Sequence, residues 1–357
     1  MNKHIFYIAA ACVALASCVK NEVRVNAPDK EITFQTVSTK AGAAFNKGNH
    51  FISYAYFLEK EKNWNDNHAD AKAYIYKADI YYHPASPKGY WAARDTYYWP
   101  KQGSLTFFAW TDDTATPSVG AGLDASCAPD TGIKIENYSV KDNPNKDILV
   151  AEIAKDKTQN ENVTGRDWTN GVPTVFRHAL AKVEFKVNKK TNYPNVMFRV
   201  KSITLNKVST KGTFTQGSPA ESWGWSAQTA PDKLSVFTGD EEVTKTADST
   251  PEAEFNILQP NTTPGATDYF IVLPQNFDNG TPTLTIVYDI ITTYTGTPVT
   301  ETVTETKALK DIYKSPTSTG KWESKKKYVL GITLGLNEIY WDPSIEGWET
   351  GNVTNIL

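Results

Sequence analysis

Residue-by-residue alternation of apolar and polar side chains is the feature that most restricts how this chain can fold. Within residues 179–187, Ala179, Ala181, Val183, Phe185 and Val187 fall on one face, and Leu180, Lys182, Glu184 and Lys186 on the other. A period of two belongs to a β-strand with one face buried and the other mostly wet. The pattern returns in Tyr328, Leu330, Ile332, Leu334 and Leu336, and in Leu284, Ile286, Tyr288 and Ile290. Phe198 and Val200 followed by Ile203 and Leu205 change parity midway, which predicts a β-bulge near Lys201 and Ser202. The short apolar runs at residues 148–151 and 270–273 read as strands buried on both faces.

Helical periodicity is almost absent, and Thr, Tyr, Val, Phe and Trp are interrupted often by Asn, Gly, Pro and Asp, as in short strands joined by turns. Strands without intervening helices predict an all-β chain of antiparallel β-sandwiches, not a parallel α/β sheet. The length fits two such domains, expected at residues 31–172 and 173–357. The polar stretch at residues 155–173 is the expected junction or long loop.

Lys3 and His4 precede an apolar run at residues 5–16, the layout of a secretory signal peptide. The run is too short for a permanent span, which needs roughly 20 apolar residues. Leu15, Ala16 and Ser17 stand directly before Cys18 and resemble the lipobox of bacterial lipoproteins. Residues 1–17 are therefore expected to be removed and Cys18 to be acylated, with residues 18–30 as a polar tether from the lipid to the fold. Of three cysteines, Cys12 lies in the leader and Cys18 is taken by lipid, so Cys127 has no intramolecular disulfide partner. It reads as a small packed or loop residue. A net charge of -3 with mixed signs gives no electrostatic case for nucleic acid.

The sequence offers little chemistry. None of the five histidines has the paired spacing of a helical zinc site. His178 sits on the outward parity of a strand and is expected at the surface or a sheet edge. Asp66, His68 and Asp70 suggest a metal loop, but the glycine of a calcium-binding turn is missing. No phosphate-cradling loop, nucleophile elbow or dinucleotide fingerprint is present, so neither enzyme activity nor a cofactor is expected, and a surface-associated hydrolase, whose carboxylate pair only the fold could bring together, stands as a distant third reading. The conspicuous cluster is aromatic: Tyr74, Tyr76, Tyr81, Tyr82, Tyr90, Trp91, Tyr97, Tyr98, Trp99, Phe107, Phe108 and Trp110. Such residues either present a platform for sugar rings or fill a sandwich core and brace neighbouring strands. The second reading is the expectation, because aromatics bury the most area per residue.

Several segments in order resemble the fimbrillin family of lipoprotein pilus subunits. EITFQTV at residues 31–37 with TKAG at 39–42 is similar to its first strand and processing region. DILVA at 147–151 and FRHALAKV at 176–183 resemble recurring inner elements, and YYWP at 97–100 leading to LTFFAW at 105–110 also fits. KYVLGITL at 327–334 and IYWDPSI at 339–345, through Trp348, resemble its closing strand and tail. The resemblance implies tandem transthyretin-like Greek-key β-sandwiches, export as a lipoprotein through the periplasm, and a place in outer-membrane surface fimbriae that support adhesion. It implies other pilus subunits as partners, and host or bacterial surfaces as contacts.

In that family's scheme a trypsin-like protease cuts after a basic residue, here Lys40 or Arg24, and a neighbour's strand fills the opened groove. Lys40 is the better site, since a cut there frees the strand carrying Ile32, Phe34 and Val37, whereas a cut at Arg24 frees only tether. The donor would be the C-terminal tail, with Ile345, Trp348, Val353 and Ile356 as anchors, although Gly347 and Gly351 interrupt it. The residues DTA at 113–115 also resemble a bacterial O-glycosylation acceptor. The alternative from a different class is a lipid-anchored glycan-binding protein of a nutrient-uptake system.

Overall fold

The structure is a computed structural model that describes residues 31–38, 45–84, 89–120, 123–144, 146–162, 170–247, 256–257, 270–278, 280–313 and 320–348. The first strands are β1 (Phe34–Ser38), β2 (Phe51–Leu58), β3 (Lys72–His83), β4 (Tyr90–Ala93) and β5 (Ser104–Thr111), with one helical turn, α1 (Trp64–Asn67), after β2. β6 (Ala125–Ala128) and β7 (Gly132–Ser139) pair as a hairpin. β8 (Leu149–Ala151), β9 (Ala154–Lys157), β10 (Glu161–Asn162) and β11 (Asn170–His178) complete the first half. The second half runs β12 (Ala181–Lys189), β13 (Val196–Thr215), β14 (Gly224–Glu242), β15 (Asn256–Ile257), β16 (Phe270–Val272), β17 (Gln275–Asn276), β18 (Thr283–Thr292) and β19 (Val299–Ala308). A turn of helix, α2 (Leu309–Ile312), then leads to β20 (Lys321–Trp322), β21 (Lys326–Leu334) and β22 (Ile339–Gly347). The chain is all-β, as the alternation predicts.

Nine strands of the first half form one sheet in the order β1-β4-β3-β2-β5-β8-β11-β10, with β9 beside β5. Because β1 pairs with β11 as well as β4, the sheet closes on itself. Its interior is aromatic, holding Phe34, Phe45, Phe51, Trp91, Phe107 and Phe176. β5 is buried at every position, since Phe107 and Ala109 face that interior while Phe108 and Trp110 face a second core with Ile133 and Tyr138 of the hairpin. A strand covered on both faces reads as a continuous apolar run, and this one does.

In the second half, a sheet of order β15-β12-β21-β22, with β16 also on β12, packs against one of order β19-β18-β13-β7-β6, with β14 on β13. The rows read from the sequence meet in one core: Val183 and Phe185, Leu330 and Ile332, Leu284 and Ile286. Each such side chain stabilises the fold by about 1.5–3 kcal/mol relative to exposure. Leu336 ends outside β21 and is exposed. The predicted bulge is present, because the register of β13 slips between Val200 and Ser202 against both β14 and β18. Residues 148–151 are buried, and so are Ile271, Val272 and Leu273.

One expectation needs correction. The sheets are not wholly antiparallel: β1 runs parallel to β11, and β12 parallel to β21. Both pairs join strands far apart in sequence, where no hairpin dictates direction. A division at residues 172/173 would cut β11, whose Val172–Phe176 portion pairs with β1. The chain crosses at Ala179 and Leu180, both fully buried, between β11 and β12. The stretch at residues 155–173 contributes to β9, β10 and β11, and its residues 163–169 lie outside the described ones. Moreover, the hairpin of the first half joins the second-half sheet, with Ile135 opposite Phe214 and Ser139 opposite Lys211 of β13.

Burial pushes up the phenols of Tyr54, Tyr56, Tyr138 and Tyr313, and that of Tyr328 to about 12. In the unfolded chain a phenol ionises near pH ~10. A group whose folded value is raised stabilises fully below its unfolded value and loses that contribution as pH rises through the folded one. The urea midpoint is therefore expected to hold up to about pH 9 and to fall steadily above about pH 10, as followed by circular dichroism.

Candidate functional site

The first strand is held on its inner face, on both edges and on its outer face. Ile32 and Phe34 are each 2% exposed. Phe34 meets Phe51 and Phe107 edge-on, with ring centroids 5.5 and 5.8 Å apart. On one edge β1 is parallel to β11, and the amide of Val172 donates to the carbonyl of Thr33 at 2.7 Å. On the other edge Phe34 stands opposite Trp91, Glu31 opposite Tyr98, and the amide of Ile32 donates to the carbonyl of Tyr97 at 2.8 Å.

The outer face is covered by residues that sequence reasoning did not single out. Asn160 brackets the backbone: its Nδ2 donates to the carbonyl of Glu31 at 2.7 Å, and its Oδ1 accepts from the amide of Thr33 at 3.2 Å. Trp99 Nε1 donates to the same oxygen at 3.1 Å and fixes the amide's orientation. Gln35 is 1% exposed, and its Nε2 donates to the carbonyls of Glu161 at 2.5 Å and Gly171 at 3.2 Å. A Cβ on Gly171 would lie 2.6 Å from the backbone of Phe34, so only glycine lets the two chains approach this closely. Asn and Gly in a polar stretch carry no periodic signal, which is why they escape notice.

Past β1, residues 39–44, which include Lys40, lie outside the described residues. The chain is next described at Phe45, whose ring stacks on Phe176 at 5.4 Å inside the closed sheet. One short segment thus ties a deeply seated strand to the rest of the protein. A family model described as fimbrillin-like matches residues 37–348. This chain belongs to the fimbrillin-like family.

Its relatives include a protein named fimbrium subunit Fim1C from Phocaeicola vulgatus, 24% identical over 97% of this chain and 96% of that protein. The fold is that of a crystallised fimbrial protein from Bacteroides vulgatus, with a TM-score of 0.63 at 17% identity, covering 89% of this chain and 99% of the other.

Other residues marked in this fimbrillin-like sequence fall as follows. Val37 stands opposite Val175 in β1. Cys18, Arg24 and Lys40, with Val353 and Ile356, lie outside the described residues. Ile345 and Trp348 are not in a free tail: β22 pairs along the whole of β21, with Ile345 opposite Tyr328, and Trp348 is 8% exposed. His178 is corrected from surface to interior. It is 3% exposed, its Nδ1 lies 2.5 Å from Asp147 Oδ2, and its ring stacks on Trp348 at 3.8 Å and an angle of 2°. Parity gave no hint of this, because its cover arrives from the far end of the chain.

The aromatic cluster divides between core and surface, with Tyr81, Tyr82, Tyr90, Tyr97 and Tyr98 half-buried. Trp91, Trp99, Phe107, Phe108 and Trp110 are buried, while Tyr74 and Tyr76 are exposed on β3. Cys127 is half-buried, and burial pushes its thiol up, away from the thiolate a nucleophile needs. In the Asp66–Asp70 loop, Asp70 pairs with Lys62, Asp66 accepts from Asn63, and the ring of His68 approaches Asp130 at 3.4 Å. Those groups cap and brace the turn around α1. Thr114 sits on the exposed loop after β5, where its hydroxyl donates to Asp112 at 2.5 Å.

Proposed function

We propose that this chain is a structural subunit of cell-surface fimbriae, exported as a lipoprotein and assembled by exchanging β1 for a strand of a neighbouring subunit. The observation that carries the proposal is the position of β1: it closes the first sheet, yet its covalent tie to that sheet is the short segment holding Lys40. Acylated Cys18 anchors the precursor in the outer membrane. A cut after Lys40 separates both the anchor and β1, whereas a cut after Arg24 leaves β1 attached.

Once β1 leaves, β4 and β11 carry unpaired backbone groups, and the sites of Ile32 and Phe34 stand empty. A neighbour's strand restores both by β-augmentation. The donor is the C-terminal tail, with Ile345, Trp348, Val353 and Ile356 as anchors; a tail kept in its own sheet, where Ile345 stands opposite Tyr328, would make the chain a tip or anchor subunit instead of a stalk subunit. The role is mechanical and adhesive, with other pilus subunits as partners and surface ligands of host or bacterial cells as contacts. Its relative's name as a fimbrium subunit and the burial of the large aromatics favour this over a sugar-binding role.

Trypsin treatment of the full precursor tests the reading. The expected product begins at Ala41 and forms SDS-resistant ladders once a subunit carrying a matching donor strand is added, while Lys40→Ala stays uncut there and monomeric. A product that begins at Ala41 and never oligomerises with such a subunit present would sink the proposal.

A further inference from the structure

We propose that the β1 groove selects its occupant through an amide: it accepts a segment reading aliphatic, any residue but proline, aromatic, glutamine, supplied by a neighbouring subunit. The inference rests on the strand-exchange reading above and specifies the partner's chemistry.

The inner face alone is a weak selector. It offers two apolar sites, now filled by Ile32 and Phe34, and alternating apolar residues are common in strands. A strand shifted by two residues would present the same face, so apolar fit leaves the register open. The outer face removes that freedom. Gln35 is fully enclosed, and its Nε2 points at two carbonyl oxygens, those of Glu161 and Gly171.

Two acceptors converging on one enclosed position require a side chain that donates. Leucine there would withdraw a donor from both carbonyls. Glutamate would set a carboxylate against them, and lysine would bring a full charge into an enclosed position. A single enclosed polar group that fixes alignment is a recognised use of such residues.

Asn160 adds a second filter of a different kind. It reads the carbonyl of residue 31 and the amide of residue 33, as a neighbouring strand would, and is indifferent to their side chains. It does require the amide. Proline at the position of Thr33 has no N–H to offer Asn160, and proline at that of Ile32 has none for the carbonyl of Tyr97.

The test uses the full chain with a unique protease site placed within residues 39–44, cut and then stripped of β1 in mild denaturant. Fluorescent peptides copying residues 31–38 are added back, in native form and with Gln35→Leu, Gln35→Glu or Thr33→Pro. The native peptide is expected to bind at least about tenfold tighter than each variant. Asn160→Ala protein is expected to bind the native and Gln35→Leu peptides more weakly by the same factor. Equal or tighter binding of the Gln35→Leu peptide overturns the amide rule. Failure to take up any peptide, native included, overturns both this inference and strand exchange. Selective uptake by protein that never polymerises upholds the groove's rule and overturns the fimbrial reading alone.

Discussion

Phe34→Ala is expected to destabilise the closed sheet by about 3–5 kcal/mol, the usual cost of emptying an aromatic site in a packed core. The side chain is 2% exposed and contacts Phe51 and Phe107 edge-on, so the vacated space lies among rings that cannot easily collapse into it. Because β1 enters from a single covalent tie, the loss should fall on its docking before it reaches the second-half core around Val183 and Leu330. Guanidinium unfolding followed by tryptophan emission checks this, since Trp91 and Trp99 line the same interior. A midpoint unchanged from the parent would mean that β1 is not part of the cooperative unit.

Trp348→Ala is the second large effect, expected at about 3 kcal/mol, near the lower bound for tryptophan truncation because the residue stands just beyond β22. Its ring lies flat on His178, and its amide donates to the carbonyl of Lys325 at 3.0 Å. Removing it uncovers an imidazole whose Nδ1 is committed to Asp147 and whose Nε2 has no partner among the described residues. Trp348→Phe keeps a stacking face and is expected to recover most of the loss. Thermal unfolding, with limited proteolysis of β22, measures both variants. Equal melting temperatures for Trp348→Ala and the parent would show that the stack contributes nothing.

What the sequence disclosed, it disclosed through period. β12, β18 and β21 each bury one face against a single core, so their alternation was plain, and the slip at Val200 showed as a change of parity. Seating β1 needed only that Ile32 and Phe34 fall on one face. β14 was not legible, because most of its residues are polar and exposed. The parallel pairs were hidden because register between distant strands is a property of the fold and leaves no local mark. His178 and Asn160 were missed for a related reason: what makes them important is Trp348, Thr33 and Glu31, all more than a hundred residues away.

The 20-residue β13 has a consequence for how a polymer of such units would bear load. Its first part pairs with β18 and its last part with β7, so one continuous ribbon is stitched into both halves of the subunit. Tension passing from one end of the subunit to the other is carried by ladders of backbone bonds and not by a bare connector that could stretch. Under pulling, such a fibre would lengthen little within each unit.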